Sequence, residues 1–206
     1  MTVYKGIYTV GITGASGAQY GIRLVQEMKK KGYKVHLVIT EAGWQVFREE
    51  LLIQTDDRKK VIDELFAAGD GEVSFHQLDD YTAPIASGSY QNTGMIIIPC
   101  SMGTLSGIAQ GASGNLLERT ADVMLKEKRR LVIVPRETPL NQIHLENMLK
   151  LSKMGVTILP AMPGFYQLPK TMDDLIDFVV GKALDQLGIE HELFTRWGEE
   201  RDNHSR

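Results

Sequence analysis

The sequence predicts an α/β protein of one domain, a Rossmann-like (flavodoxin-like) doubly wound parallel sheet. Apolar runs without internal alternation recur at 8–13 (YTVGIT), 34–40 (KVHLVIT), 94–100 (GMIIIPC), 130–135 (RLVIVP) and 155–160 (GVTILP). Such runs mark strands covered on both faces. Segments of helical spacing fill most of the intervals, so β and α alternate. A glycine-rich turn follows the first run directly, as at the first crossover of a nucleotide-binding sheet.

In chain order, the run at 8–13 leads into GITGASGAQYG (11–21), where Gly14 and Gly17 flank Ser16 ahead of a helix from Tyr20 to Lys31. Glycines allow close backbone approach, a helix start offers unpaired N–H groups, and the serine adds a donor, so a phosphate fits. The spacing is G-x-x-G-x-x-G, neither the dinucleotide G-x-G-x-x-G nor a Walker loop. Glu41, after the second strand, stands where a ribose-binding acid of an NAD site would stand. Residues 54–93 are less regular, with a polar helix at 58–68 and a turn-rich APIASGSYQNTG, and read as an insertion. After the third strand, PCSMGTLSGIAQG (99–111) places Ser101 and Thr104 to cap the next helix. Helices follow at 115–128 and 140–154 on either side of the fourth strand. A last helix at 172–187 closes the domain, 1–187, and leaves a charged tail, 188–206, for which disorder and a crossing to another subunit are the two alternatives.

Bulk properties narrow the function. A chain of 206 residues buries roughly 70% of its unfolded surface in one core. A net charge of −3 and the shortness of KEKRR (126–130) argue against nucleic acid as a partner. Cys100 is the sole cysteine, which excludes a disulfide framework. At the end of a buried strand it reads as a core residue rather than a nucleophile. The N-terminus has no signal-peptide pattern and no run approaches the ~18 apolar residues of a membrane span, so a cytoplasmic location is expected.

The charged residues divide by position. Arg136 and Glu137 directly follow the fourth strand, at the edge where such sheets bind ligands, as an anion clamp and a proton-transfer group. Arg119 and Lys126 share a helix face with Asp122 between them, which by itself reads as a solvated ion-pairing stripe. Tyr166, in PGFYQLPK after the fifth strand, is either a phosphate-orienting hydroxyl or a loop aromatic over the core. DDLID (173–177) matches the D-D-x-x-D of magnesium-diphosphate enzymes. Thr171 as N-cap with Asp174 three residues later explains it as a helix start instead. Histidines 36, 76, 144, 191 and 204 lack metal-ligand spacing, so no metal is expected.

TGASGA, PCSMGTLSGIAQG, ERTADVMLKE, VPRETPLNQIHLENMLKLSKMG, ILPAMPGFYQLP and RWGE occur in this order. The chain thereby closely resembles the UbiX-like flavin prenyltransferases, including the paralogues paired with phenolic acid decarboxylases. The resemblance implies transfer of a dimethylallyl group from dimethylallyl monophosphate to N5 and C6 of reduced FMN, without metal. The product, prenylated FMN, serves a UbiD-like decarboxylase. It implies FMN binding by Gly14, Ala15, Ser16, Thr40, Ser101, Met102, Gly103, Thr104 and Arg136, with Glu50 facing the flavin. Ser87 and Ser89 would lie near the phosphate of the second substrate. Arg119, Lys126, Glu137, Tyr166 and Lys182 would hold that phosphate or move protons. Thr40 stands where serine is common, and Lys182 where some relatives have arginine, which removes a bidentate fork. The resemblance also implies a homo-oligomer, a dodecamer. An FMN-dependent cysteine decarboxylase and a non-catalytic flavin carrier are the alternatives, and the P-x-M-N-x-x-M-W signature of the former is absent. Lys126 precedes the fourth strand and Glu137 follows it, so a substrate touching both would need more than one subunit; the alternatives are that the 115–128 helix bends over the top edge or that Lys126 is only a surface charge.

Overall fold

Six parallel strands form one sheet in the order β3-β2-β1-β4-β5-β6 in the computed structural model, which describes residues 3–196. They are β1 (Ile7–Ile12), β2 (Lys34–Ile39), β3 (Glu72–His76), β4 (Gly94–Cys100), β5 (Arg130–Pro135) and β6 (Thr157–Ile158). The helices are α1 (Ala18–Lys30), α2 (Glu41–Leu51), α3 (Arg58–Leu65), α4 (Met102–Ala109), α5 (Leu116–Lys126), α6 (Gln142–Lys153) and α7 (Met172–Leu187).

Every residue of β4 is buried, as are all but the first of β1, β2 and β5. Side chains alternate between two cores, as the pleat requires. Ile96 and Ile98 pack with Leu24, Val25 and Met28 of α1 and Val180 and Leu184 of α7. Met95 and Ile97 pack on the other face with Leu105 of α4, Leu117 and Met124 of α5, and Leu151 of α6. Each such fully buried aliphatic side chain contributes about 1.5–3 kcal/mol, so both layers are needed to hold the central strands.

The structure departs from the sequence-based expectation in two places. The stretch 54–93 is no insertion: α3 and β3 lie within it, and β3 pairs in parallel with β2 from Lys34↔Glu72 to Val38↔His76. Glu-Val-Ser-Phe-His is a half-buried edge strand, so it lacks the continuous apolar run that marks the buried ones. The fifth expected strand shrinks to the two residues of β6. The chain still tracks β5 beyond it, through Leu159 N to Ile133 O at 2.9 Å and Ala161 N to Pro135 O at 3.0 Å.

β1 and β4 are neighbours, and the order runs outward from them in both directions, which makes the gap between their carboxyl ends the switch point of the sheet. Two glycines set the fit around it. A Cβ on Gly21 would lie 2.5 Å from the Ile98 carbonyl, so α1 presses directly on β4. One on Gly14 would lie 2.4 Å from the Ala42 Cβ, so the first turn presses on the start of α2.

Candidate functional site at the carboxyl edge of the sheet

Thr13 joins the strand ends at the switch point. Its N–H and its hydroxyl both donate to the Pro99 carbonyl, at 3.2 and 2.9 Å, and the same hydroxyl oxygen accepts from Ser101 N at 2.7 Å. Three helices start around this stitch. Gly17 caps α1 at φ 101°, a left-handed conformation that suits glycine. Thr40 caps α2, its hydroxyl oxygen accepting from Gly43 N at 3.0 Å. Ser101 caps α4, accepting from Thr104 N at 3.4 Å. Ala15 is buried beneath the turn, Ser16 is partly exposed on it, and Gly17 N donates to Glu50 Oε2 at 2.9 Å. No atom lies within 4 Å of a Cβ built on Gly103, so the first turn of α4, between Met102 and Thr104, is open there. Converging helix starts give this edge a positive field.

Arg136 and Glu137 complete that edge. Arg136 N donates to the Cys100 carbonyl at 3.2 Å, which fixes the residue beside the end of β4. Its Nε is buried with no hydrogen-bond partner among the described residues. Leaving such a donor unpaired costs about 1–3 kcal/mol. Burial raises the Tyr20 phenol above its usual range, and the charge of Arg136 pulls it back down, which brings Tyr20 into the same surroundings. Glu137 is exposed, and its Oε1 accepts from Thr138 N at 3.0 Å. A cavity of about 290 Å³ lies against both residues, between Pro135–Thr138, Leu140, Met148 of α6 and Pro160–Met162. An orphaned guanidinium donor, three helix starts and a mostly apolar cavity fit a flat ligand that carries one phosphate.

A second cluster lies along α5. Arg119 Nε donates to the Ala86 carbonyl at 3.1 Å and its Nη1 to Asp122 at 2.9 Å. Ser87 and Ser89 hydroxyls stand 2.9 Å apart. Lys126 pairs with Glu127, and a Cβ on Gly88 would lie 2.7 Å from Lys126 Nζ. Arg129 donates to the Tyr90 and Gly88 carbonyls at 2.6 and 2.7 Å. Lys126 and Arg129 come just before β5, and Gly88 just before β4, so this end of the cluster is at the amino edge of the sheet. The six residues of β5, at about 3.3 Å each, put roughly 20 Å between it and Glu137.

Tyr166 and Lys182 occupy a third place. The Tyr166 ring packs edge-on against Phe178 with centroids 5.6 Å apart, and Lys182 Nζ lies over Phe178 and Phe194 at 5.9 and 5.4 Å. Both therefore sit along α7, Tyr166 on the loop that leaves the cavity at Met162.

The family profile for Flavoprotein matches residues 4–184. A flavin prenyltransferase UbiX of Halalkalibacterium halodurans is 99% identical over 206 residues, all of both chains. The chain belongs to the UbiX flavin prenyltransferase family. Among solved structures, AnUbiX (PadA1), in complex with FMN and dimethylallyl pyrophosphate, superposes with a TM-score of 0.84 at 39% identity, over 95% of this chain and 99% of that one. A dodecameric FMN-dependent UbiX-like decarboxylase from Escherichia coli O157:H7 gives 0.83 at 44% identity, over 94% and 100%.

Of the residues that the UbiX resemblance singles out, one subunit thus brings together Gly14–Ser16, Thr40, Glu50, Ser101–Thr104, Arg136 and Glu137. It holds Lys126, beside the segment of Ser87 and Ser89, toward the other edge, with Arg119 between, one turn into α5 and against Ala86. The ion pair of Arg119 with Asp122 is the solvated-stripe pairing, and it coexists with the place of Arg119 beside the Ser87 segment. Thr171 accepts from Asp174 N while Asp174 accepts from Thr171 N, at 3.2 and 2.9 Å, so the DDLID run does start a helix. Asp177 is held by Arg23 at 2.6 and 3.1 Å. Burial drives the Cys100 thiol far above its ordinary range, so it stays protonated. Most of the tail, including RWGE beyond Arg196 and His204, lies outside the described residues. Sequence reasoning missed Thr13 and Arg129. Thr13 ends an apolar run as any strand residue would, and Arg129 sits in a basic run that reads as a helix end.

Proposed function

We propose that this chain transfers the dimethylallyl group of dimethylallyl monophosphate to reduced FMN, yielding prenylated FMN for a UbiD-like decarboxylase. The buried, unpartnered Nε of Arg136, at a crevice ringed by three helix starts, carries the proposal. Family membership supplies the reaction class. The FMN and dimethylallyl pyrophosphate bound to AnUbiX have the same ligand chemistry.

Ser16 and the N–H groups of the first turn take the FMN phosphate, and Thr40 adds a hydroxyl whose hydrogen is free to donate while its oxygen caps α2. The Arg136 guanidinium turns to the flavin from the wall of the adjoining cavity, and that cavity takes the flat ring and the prenyl chain. Reduced FMN supplies the nucleophilic ring atoms. Breaking the allylic C–O bond moves negative charge onto the departing phosphate, so donors aimed at that phosphate lower the barrier. Arg119 and Lys126, with the Ser87 and Ser89 hydroxyls, are those donors, and Lys182 and Tyr166 close the site from the α7 side. Because Lys126 lies toward the amino edge, its cluster reaches the substrate from a neighbouring subunit of a homo-oligomer, a dodecamer in this proposal. Glu137 gives a proton to the leaving phosphate or accepts one from the ring, and Glu50 faces the flavin across the Gly17 N–H it already holds. No divalent metal takes part: the cations do that work, and Asp174 and Asp177 are spent on a helix cap and on Arg23. No described helix is long and apolar enough to cross a membrane. We place the activity in the cytoplasm.

Anaerobic incubation with reduced FMN and dimethylallyl monophosphate, in chelator, followed by mass measurement of the released flavin, is the test. The flavin gains one dimethylallyl unit. An unchanged flavin would overturn the proposal, and a gain that requires added magnesium would overturn its metal-free form.

A further inference from the structure

The segment that carries Ser87 and Ser89 is tied down at Tyr90, and the tie runs through two histidines, His36 buried and His76 half-buried. Tyr90 OH lies 2.8 Å from His36 Nε2, and His36 Nδ1 lies 2.8 Å from His76 Nε2. A polar chain therefore spans from the edge strand β3 through β2 to the serine segment, and His36, in its middle, is 3% exposed. With both imidazoles neutral, each contact has one hydrogen between two partners, and the chain is satisfied whichever way it points. The backbone around Tyr90 is gripped as well: Arg129 donates to the carbonyls of Tyr90 and Gly88 at 2.6 and 2.7 Å, and Asn92 Nδ2 donates to Thr9 at 2.6 Å. Ser87 and Ser89 sit beside these ties, with their hydroxyls 2.9 Å apart. A polar chain with a buried His36 at its centre gains little stability over apolar side chains of equal volume, whereas a satisfied polar chain fixes one geometry.

We propose that the His76–His36–Tyr90 chain is a positioning device that presents Ser87 and Ser89 to the phosphate of the allylic substrate, so that Tyr90 and His76 set affinity for that substrate without touching it. This rests on the assignment of Ser87 and Ser89 to that phosphate, made above. The test is steady-state kinetics at saturating reduced FMN, with FMN affinity and Tm measured in parallel. Tyr90→Phe keeps the ring and loses only the hydroxyl. It raises KM for dimethylallyl monophosphate about tenfold, the size of one lost hydrogen bond, with kcat within about twofold and FMN affinity unchanged. His76→Leu does the same, and His76→Gln, whose amide can still meet His36 Nδ1, recovers most of the loss. Ser87→Ala and Ser89→Ala, run alongside, raise the same KM. If the serine variants raise KM while Tyr90→Phe and His76→Leu lower only Tm, the positioning role is overturned and the phosphate assignment stands. If the serine variants leave KM unchanged, the assignment falls and the inference falls with it.

Discussion

Arg136 was legible in the sequence because an arginine directly after a buried strand stands at the ligand edge of a parallel sheet. That its Nε is orphaned was not legible, since burial of one atom depends on how α1 and the end of β4 pack around it. The orphan gives a paired expectation. Arg136→Met removes an unsatisfied buried donor, so without ligand the variant is as stable as the wild type or up to about 2 kcal/mol more stable, while FMN no longer raises its Tm. Thermal melts with and without FMN measure both. Ser16→Asp sets a like charge against the FMN phosphate and weakens FMN binding by roughly 100-fold or more. A fluorescence titration that finds affinity within a few-fold of wild type would move the phosphate elsewhere. His36 supplies the pH dependence. Burial, then His76 and Lys34, hold it at about 4 against an ordinary 6.5, with Glu72 pulling the other way. Between those values the unfolded chain binds a proton that the folded chain refuses. The contribution to stability is therefore complete above pH 6.5 and is lost as pH falls toward 4. Denaturation midpoints at pH 7 and pH 5 check this, and the decline is smaller in His36→Leu.

At the level of elements, the central strands and α5, α6 and α7 could be read from the sequence because burial on two faces and helical spacing leave strong patterns. β3 could not, because an edge strand needs only a half-buried, short and polar run. The N-terminus of α7 was legible down to its atoms, through Thr171 and Asp174 at capping-box spacing. Thr171→Ala should cost about 1 kcal/mol and lower Tm by roughly 2–4 °C for a domain of this size. Prenyl transfer should persist unchanged below that Tm, which a metal role for the DDLID acids would not permit if the helix start frays. The residues around Tyr90 were invisible for a different reason: His76 and Tyr90 are 40 and 54 positions from His36 in sequence, and only folding, with the β2–β3 pairing for the two histidines, brings them together.

For the whole molecule, the spacing of Lys126 and Glu137 across β5 could be counted from the sequence, and the sheet gives it direction. Gly14–Ser16, Arg136 and Glu137 face the carboxyl edge of one subunit. Lys126, beside Gly88, faces the amino edge roughly 20 Å away. In the proposed mechanism neither set completes a prenyl-transfer site alone, and activity is assigned to the assembly. Mixing Lys126→Ala with Glu137→Gln, each inactive by itself, under conditions that exchange subunits is the most direct measurement. Hybrid assemblies contain sites that draw an intact Lys126 from one subunit and an intact Glu137 from another, and prenylated FMN is then recovered in proportion to the hybrid fraction. Hybrids verified by native mass measurement that form no prenylated FMN, or a fully active wild-type monomer, would contradict a site shared between subunits.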